Sequence, residues 1–271
     1  MAAWTLDDIP WHRFDRAKLD PELVRLAKAA SLVEYNGAAY AHHLCRVFGD
    51  DPEFQAAARR WGEEEVQHGL ALARWAALAD PAFDFAAAFA RFQAGFRVDF
   101  DRAQSMRGSR AGEMIARCIV ETGTSSYYTA LREAAAEPVL QEICRHIAAD
   151  ELRHYRLFYK NLETCLAREP LGRWRRLTVA LGRLLESEDD ELAYAYYAAN
   201  EGGAPYRRRR CARAYARRAY AVLRPHHVER GIAMILKAVG AKPNGRLGRL
   251  CAGLAWRGMR WRAARLARAA A

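Results

Sequence analysis

The sequence predicts an all-α protein, and three observations lead to this prediction. Alanine-rich stretches place apolar residues three and four positions apart, which is the spacing of one helix face. Clusters of β-branched residues are few, and no Asn-Gly pair stands between alternating apolar residues, so hairpins are not indicated. Five of the nine prolines follow an acid, a pair typical of helix starts because the acid caps and proline fits the first turn. These pairs are Asp20-Pro21, Asp51-Pro52, Asp80-Pro81, Glu137-Pro138 and Glu169-Pro170.

The N-terminal part of the chain is predicted to form four long helices. Acid–proline pairs or a glycine–serine break separate them. Their predicted ranges are 21–48, 52–78, 110–136 and 138–167. The phenylalanine-rich stretch 82–105 connects the second helix to the third, and a crossover of this kind allows two helical hairpins to form a four-helix bundle. Further helices are predicted at 171–187, 190–201, 206–223, 226–239 and 246–268.

The net charge of +11 is distributed unevenly along the 271 residues. Residues 1–202 contain 25 Lys+Arg and 31 Asp+Glu, whereas residues 203–271 contain 18 Lys+Arg and a single acid. We therefore expect a bundle with a short N-terminal arm over 1–168, and a helical C-terminal extension over 169–271 that is strongly basic from 203. Disorder is excluded, because 52% of the residues are hydrophobic and can form a sizeable core.

Neither a membrane span nor secretion is indicated. The longest run without a formal charge is 35–45, well short of the roughly 18 residues that a spanning helix needs. Acids stand near the N-terminus, where a signal peptide would be basic. The six cysteines form no C-x-x-C pair, which disfavours four-cysteine zinc and rubredoxin-type iron sites and favours reduced thiols. The sequence thus predicts a cytoplasmic protein, with peripheral membrane association left open.

Two histidines have a glutamate three residues before them, in Glu65-Val-Gln-His68 and Glu151-Leu-Arg-His154. Positions i and i+3 share a helix face, so each pair can direct a carboxylate and an imidazole at one point. An ordinary surface ion pair is the alternative for either pair considered alone.

Each Glu-x-x-His pair follows another mid-helix glutamate, because Glu34 precedes Glu65 by 31 residues and Glu121 precedes Glu151 by 30. Both upstream glutamates have apolar or small neighbours, where carboxylates seldom occur without a partner. Four carboxylates and two imidazoles at a bundle centre form the known di-iron or di-manganese pattern, and two divalent cations would offset the four negative charges. Buried Glu–His pairs without metal are the alternative.

The strings Glu63-Glu-Glu-Val-Gln-His-Gly69 and Ala149-Asp-Glu-Leu-Arg-His154 resemble those of the ferritin-like di-iron carboxylate superfamily. The resemblance covers about residues 20–168 and is closest to soluble acyl-carrier-protein desaturases and rubrerythrin-like proteins. It implies a ferritin-like four-helix bundle with two iron ions, manganese being the alternative metal, and activation of oxygen or peroxide. The implied ligands are Glu34, Glu65, His68, Glu121, Glu151 and His154, with Glu65 and Glu151 bridging the two ions.

Further site residues are expected near these ligands. Glu64 and Asp150 could accept the ring N–H of a ligand histidine, or could be ordinary acidic surface residues. Thr124 resembles the hydroxyl that oxygen-activating members place beside the metals, while its alternative is a bond to a preceding carbonyl. Tyr128 could line the oxygen-activation pocket or be a radical site, or it could simply pack in the core. The small residues around Glu34, among them Gly37, leave room for a channel or allow close helix packing.

The function expected from the resemblance is a di-iron oxidoreductase that uses O2 to desaturate or hydroxylate a hydrophobic acyl- or prenyl-type substrate. Its electrons would come from a separate redox partner protein, since the chain has no rubredoxin-type cysteines. The alternative is a rubrerythrin-like peroxidase or a ferroxidase that handles iron. A metal-free binding protein would require the six ligands to be coincidental.

The basic extension is expected to bind an anionic partner, and the alternative is a merely solvated face. An anionic membrane surface is favoured first, because Trp256 and Trp261 lie among the arginines. An acidic carrier protein is second, and nucleic acid is disfavoured because no binding motif is present. A homodimer is compatible with the sequence. The candidate surface-binding residues are Arg207, Arg208, Arg209, Arg210, Arg257 and Arg260.

Overall fold

The computed structural model describes residues 4–96, 100–186, 190–243 and 245–268. Within these ranges the chain forms α-helices and three short 3₁₀ turns, and it contains no strand, so the all-α prediction is confirmed. No helix in the described ranges is both long and apolar enough to cross a membrane. The helices are α1 (Pro21–Tyr35), α2 (Gly37–Val47), α3 (Pro52–Ala79), α4 (Phe85–Gly95), α5 (Arg110–Ala134), α6 (Pro138–Arg168), α7 (Arg173–Glu186), α8 (Asp190–Asn200), α9 (Arg208–Val222), α10 (Pro225–Ala238) and α11 (Arg246–Arg268).

Three of the five acid–proline pairs begin helices as predicted. The side chains of Asp20 and Asp51 accept hydrogen bonds from backbone N–H groups in the first turns of α1 and α3, at 2.8 and 2.9 Å. Glu137 likewise accepts a 2.7 Å bond from the N–H of Leu140 in α6. Each acid thus satisfies an N–H that has no partner within the helix, which fixes where the helix starts.

The other two acid–proline pairs do not begin helices, so those predictions are wrong. Asp80 follows the end of α3 and accepts a 2.8 Å hydrogen bond from Lys28, while α4 begins later and is capped by Asp84. Glu169 follows the end of α6, and α7 begins only at Arg173. The other carboxylate oxygen of Asp80 accepts a 3.2 Å hydrogen bond from the N–H of Ala82, but the chain forms a turn there and not a helix.

The predicted helix 21–48 is interrupted directly after the candidate ligand Glu34. The N–H of Asn36 lies 3.2 Å from the carbonyl oxygens of both Leu32 and Val33, so the hydrogen-bond ladder tightens there. A second helix then begins at Gly37. The predicted crossover 82–105 contains the helix α4, which the sequence did not define.

The first compact unit comprises residues 1–103, 131–146 and 187–218. In this unit α3 packs against α1 and α2, and α8 packs against α1 and α4. Arg217 and Arg218 of α9 pair with Glu22 of α1 at 3.0 and 2.9 Å, so part of the basic extension is bound within this unit. Its large buried side chains include Leu26, Leu72, Trp75, Phe92 and Tyr196.

The second compact unit comprises residues 104–130, 147–186 and 219–271. The Tyr155 hydroxyl of α6 donates a 2.8 Å hydrogen bond to the carbonyl of Met234 in α10. Arg230 of α10 donates to the Ser125 carbonyl and the Thr129 hydroxyl of α5, both at 2.9 Å. These bonds attach α10 to α5 and α6, and α11 packs on α10. The predicted division into 1–168 and 169–271 stays a prediction.

Candidate metal centre

The first unit contains a buried group of three potential metal ligands, called here the first triad: Glu34 of α1 with Glu65 and His68 of α3. Their exposed fractions are 5%, 7% and 0%. The Nδ1 atom of His68 lies 3.7 Å from Oε2 of Glu34, and each residue offers a donor atom within 4.8 Å of the other two. The spacing of three along α3 places Glu65 and His68 on one face, as predicted. This triad could hold a metal ion.

Glycines allow α3 to lie close to the junction of α1 and α2. A Cβ atom at Gly37 would be 2.2 Å from the Cβ of Glu65, and one at Gly69 would be 2.5 Å from the backbone nitrogen of Tyr35. Neither position has room for a side chain. Of the two interpretations of the small residues near Glu34, Gly37 therefore supports close packing.

The second unit contains an equivalent group, called here the second triad: Glu121 of α5 with Glu151 and His154 of α6. All three are buried, with at most 3% exposed. The Nδ1 atom of His154 lies 3.6 Å from Oε2 of Glu121, and the three donor atoms again lie within 4.8 Å of one another. The geometry of the first triad is thus repeated, with the upstream glutamate beside the histidine of the Glu-x-x-His pair. This triad could also hold a metal ion.

The electrostatics of the second triad favour a cation. Burial and, after it, the nearby Glu151 carboxylate raise the pKa of Glu121 to about 8, although His154 opposes the increase. Burial and a neighbouring negative charge both disfavour the ionised form, and a bound cation would reverse this balance. The donor set of carboxylate oxygens and imidazole nitrogen, without thiolate, suits iron or manganese.

No family model matches the chain, and no curated protein matches it. The metal-binding interpretation therefore depends on the chemistry of the two triads and on the spacing of their residues.

The Thr124 hydroxyl lies near both kinds of acceptor that the sequence left open, a predicted ligand carboxylate and carbonyl oxygens of the preceding turn. Its hydroxyl lies 2.5 Å from Oε2 of Glu151 and 3.2 and 3.3 Å from the carbonyl oxygens of Val120 and Glu121. A hydroxyl has a single proton, so it donates to one of these oxygens at a time. The shortest distance favours the Glu151 carboxylate. Tyr128 is buried and meets Tyr127 edge to face at 5.3 Å, and its catalytic role stays a prediction.

The two acids predicted to support the ligands differ in their surroundings. Asp150 is only 3% exposed and pairs with Arg153, one turn later on α6. Glu64 is half-buried on α3. The predicted bonds from these carboxylates to ligand imidazoles stay predictions.

Trp4 is a neighbour of the first triad that sequence reasoning missed. Its ring stacks on that of His68, with centroids 6.0 Å apart and planes 5° apart, and it also stacks on His146 at 4.9 Å. Gln67 donates a 2.8 Å hydrogen bond to its carbonyl. Trp4 is far from both histidines in the sequence and belongs to no periodic pattern, so no local signal could have indicated this contact.

The candidate surface-binding arginines are all exposed, but two of them have acidic neighbours. Arg208 pairs with Asp190, and Arg210 lies 3.4 Å from Glu201. These two therefore help to attach the start of α9 within the first unit. The candidates on α11 are Arg257 and Arg260.

Proposed function

We propose that the protein is a non-haem di-iron oxidoreductase of the ferritin-like type. It would use O2 and electrons from a separate donor protein to desaturate or hydroxylate a hydrophobic acyl- or prenyl-type substrate. The observation that carries the proposal is the pair of buried triads with the same composition and the same Glu-x-x-His spacing. The choice of substrate class depends on the resemblance of the two motif strings to acyl-carrier-protein desaturases.

The six residues fit two divalent ions by charge. Four ionised carboxylates supply four negative charges, which two divalent cations offset. Without such cations, burial and the neighbouring Glu151 carboxylate raise the pKa of Glu121, which disfavours its charged form. We propose that each triad supplies the ligands of one ion, as the residue pattern of ferritin-like di-iron proteins suggests.

Each of these residues then has a defined role as a metal ligand. Glu34, Glu65 and His68 would hold one ion, and Glu121, Glu151 and His154 the other. Two iron ions, when bound, would supply the electron transfer to O2 that carbon–hydrogen bond oxidation requires. The Thr124 hydroxyl, 2.5 Å from Oε2 of Glu151, would fix the orientation of that carboxylate.

Metal analysis of the purified full-length chain tests the metal centre. We expect about two iron or manganese ions per chain. The double variant Glu65→Ala with Glu151→Ala should lose them. The matched control, Glu63→Ala with Glu163→Ala, removes exposed glutamates from the same two helices and should retain them. Less than about one ion per wild-type chain, with no change in the double variant, would contradict the proposal.

A second experiment tests the reaction. The iron-loaded chain is supplied with O2, a one-electron donor and a panel of acyl and prenyl substrates, and products are identified by mass spectrometry. The proposal requires a desaturated or hydroxylated product that depends on the donor. Rapid consumption of hydrogen peroxide without any such product would overturn it in favour of a rubrerythrin-like peroxidase.

A further inference from the structure

Helix α7 presents an apolar stripe to solvent. Trp174, Leu181 and Leu185 are 82%, 49% and 74% exposed. Successive helix positions differ by about 100°, so these three side chains lie within a narrow sector of the helix surface. Ala180 is buried on another side of the same helix. The exposed stripe is thus additional to the face by which α7 packs.

Positive charge flanks this stripe. Arg173 and Arg175 are exposed on either side of Trp174 in the sequence, and helical geometry places them on opposite flanks of the stripe. The only acid of α7 is Glu186, whose carboxylate pairs with Arg107 at 2.6 Å. The surface of α7 is therefore apolar along its centre and basic at its edges.

A second helix of the same unit has the same chemistry. In α11, Leu250, Leu254 and Trp261 are 59%, 56% and 61% exposed. The helix contains seven arginines and no acid. Arg176 of α7 also lies close to the turn before α11, because a Cβ atom at Gly240 would be 3.0 Å from its Nη1 atom.

We propose that α7 and α11 bind the surface of an anionic lipid bilayer. Exposed tryptophan and leucine favour the boundary between headgroups and acyl chains, where an amphipathic helix lies parallel to the membrane plane. Arginines beside the apolar stripe would contact lipid phosphates, since each basic residue near an anionic surface adds attraction. A protein partner with a purely acidic surface would leave the indole and leucine side chains exposed. The inference concerns a surface outside both triads and does not depend on the metal.

Vesicle flotation of the full-length chain tests this inference. We expect binding to vesicles of phosphatidylcholine with roughly 30% phosphatidylglycerol, and at least about tenfold weaker binding to phosphatidylcholine alone. The variant Trp174→Gln with Leu185→Gln should weaken binding about tenfold or more, and so should Leu250→Gln with Leu254→Gln. The matched control is Leu78→Gln with Met106→Gln, which removes side chains that are 37% and 43% exposed elsewhere. The control should bind like the wild type, and circular dichroism should show that every variant remains folded.

Fluorescence quenching by brominated lipids gives an independent readout. Trp174→Phe retains an apolar ring, so it should still float with anionic vesicles but should lose a measurable part of the lipid-dependent quenching. Equal flotation of wild type and the α7 variant would overturn the inference, and so would equal binding to neutral and anionic vesicles. A wild type that fails to float, but self-associates in sedimentation while the α7 variant stays monomeric, would instead assign the stripe to a second copy of the chain.

Discussion

At the scale of single residues, Gly37 determines how closely α2 can approach the first triad. A Cβ atom there would lie 2.2 Å from the Cβ of Glu65, which no real side chain tolerates. We expect Gly37→Ala to lower the free energy of unfolding by about 1–3 kcal/mol, because the helices must separate. The displacement of Glu65 should also lower the iron content. Urea denaturation and metal analysis measure the two effects.

Gly123 is the matched control because it is an exposed position inside α5, and a Cβ atom there would have no atom of another segment within 4 Å. Gly123→Ala should raise the free energy of unfolding by about 0.5–1 kcal/mol, since alanine has the higher helix propensity. If Gly37→Ala proves as stable as wild type, the close approach between α2 and α3 does not exist.

The composition of each triad could be predicted from sequence, but its immediate surroundings could not. Glu65 and His68 are three positions apart on one helix, so geometry alone brings them to one face. Trp4 reaches His68 from the N-terminal arm, and only tertiary structure brings the two rings together. Close approach at Gly37 is likewise a property of the packed helices.

At the scale of helices, Glu137 joins three segments of the first unit. It is 1% exposed, and its Oε2 atom accepts 2.7 Å hydrogen bonds from the N–H of Leu140 and from the indole of Trp75. Its Oε1 atom accepts a 3.1 Å bond from the N–H of Asp15. We expect Glu137→Ala to lower the free energy of unfolding by about 2–4 kcal/mol, because a cap is lost and a buried indole N–H is left without its acceptor. Chemical denaturation measures this loss.

Glu142 is the control for this effect because it lies on the same helix and is partly exposed. It pairs with Arg145 at 2.6 Å, and such surface pairs contribute little. Glu142→Ala should therefore change the free energy of unfolding by less than about 0.5 kcal/mol. Equal effects of the two substitutions on the free energy of unfolding would mean that the hydrogen bonds of Glu137 contribute no more than a surface ion pair.

Helix boundaries could be predicted at three of the five acid–proline pairs, and the same local pair stands at the other two places without starting a helix. Asp20 and Asp51 bind backbone N–H groups of the helices that directly follow them. Asp80 also accepts a bond from a backbone N–H two residues later, at 3.2 Å, yet only a turn follows, and its other oxygen binds Lys28 of α1. The acid–proline pair therefore indicates a capacity to bind the N–H groups that follow, and it does not determine whether a helix or a turn forms there.

At the scale of the whole molecule, stability is expected to fall in acid. Hydrogen bonds from basic side chains lower the pKa of Asp80, Glu142 and Glu186 below the ordinary values of these carboxyls. A lowered native pKa stabilises the fold above the unfolded pKa, and this contribution is lost as pH falls through the native value. The free energy of unfolding should therefore decrease between about pH 5 and pH 2.

Lys28→Met is the variant that tests this origin, because Lys28 donates the 2.8 Å bond that is the largest cause of the lowered pKa of Asp80. Urea denaturation at a series of pH values should show a smaller decrease for this variant than for wild type. Identical pH profiles of wild type and variant would show that the Lys28–Asp80 pair does not contribute to the loss of stability in acid.

Metal binding is expected to stabilise the whole chain, since the triads favour bound metal only when they are folded. A free Mn²⁺ concentration about 100 times the Kd should add ~2.7 kcal/mol for each ion bound, which corresponds to about 5–10 °C in Tm per ion for a chain of this size. Thermal denaturation with Mn²⁺ and with a chelator measures this shift. The single variant Glu65→Ala is the sharper test, because it removes a ligand of the first triad and should remove at least about half of the shift. A shift reduced by about half would show that the two triads bind metal independently, and an unchanged shift would place the metal outside them.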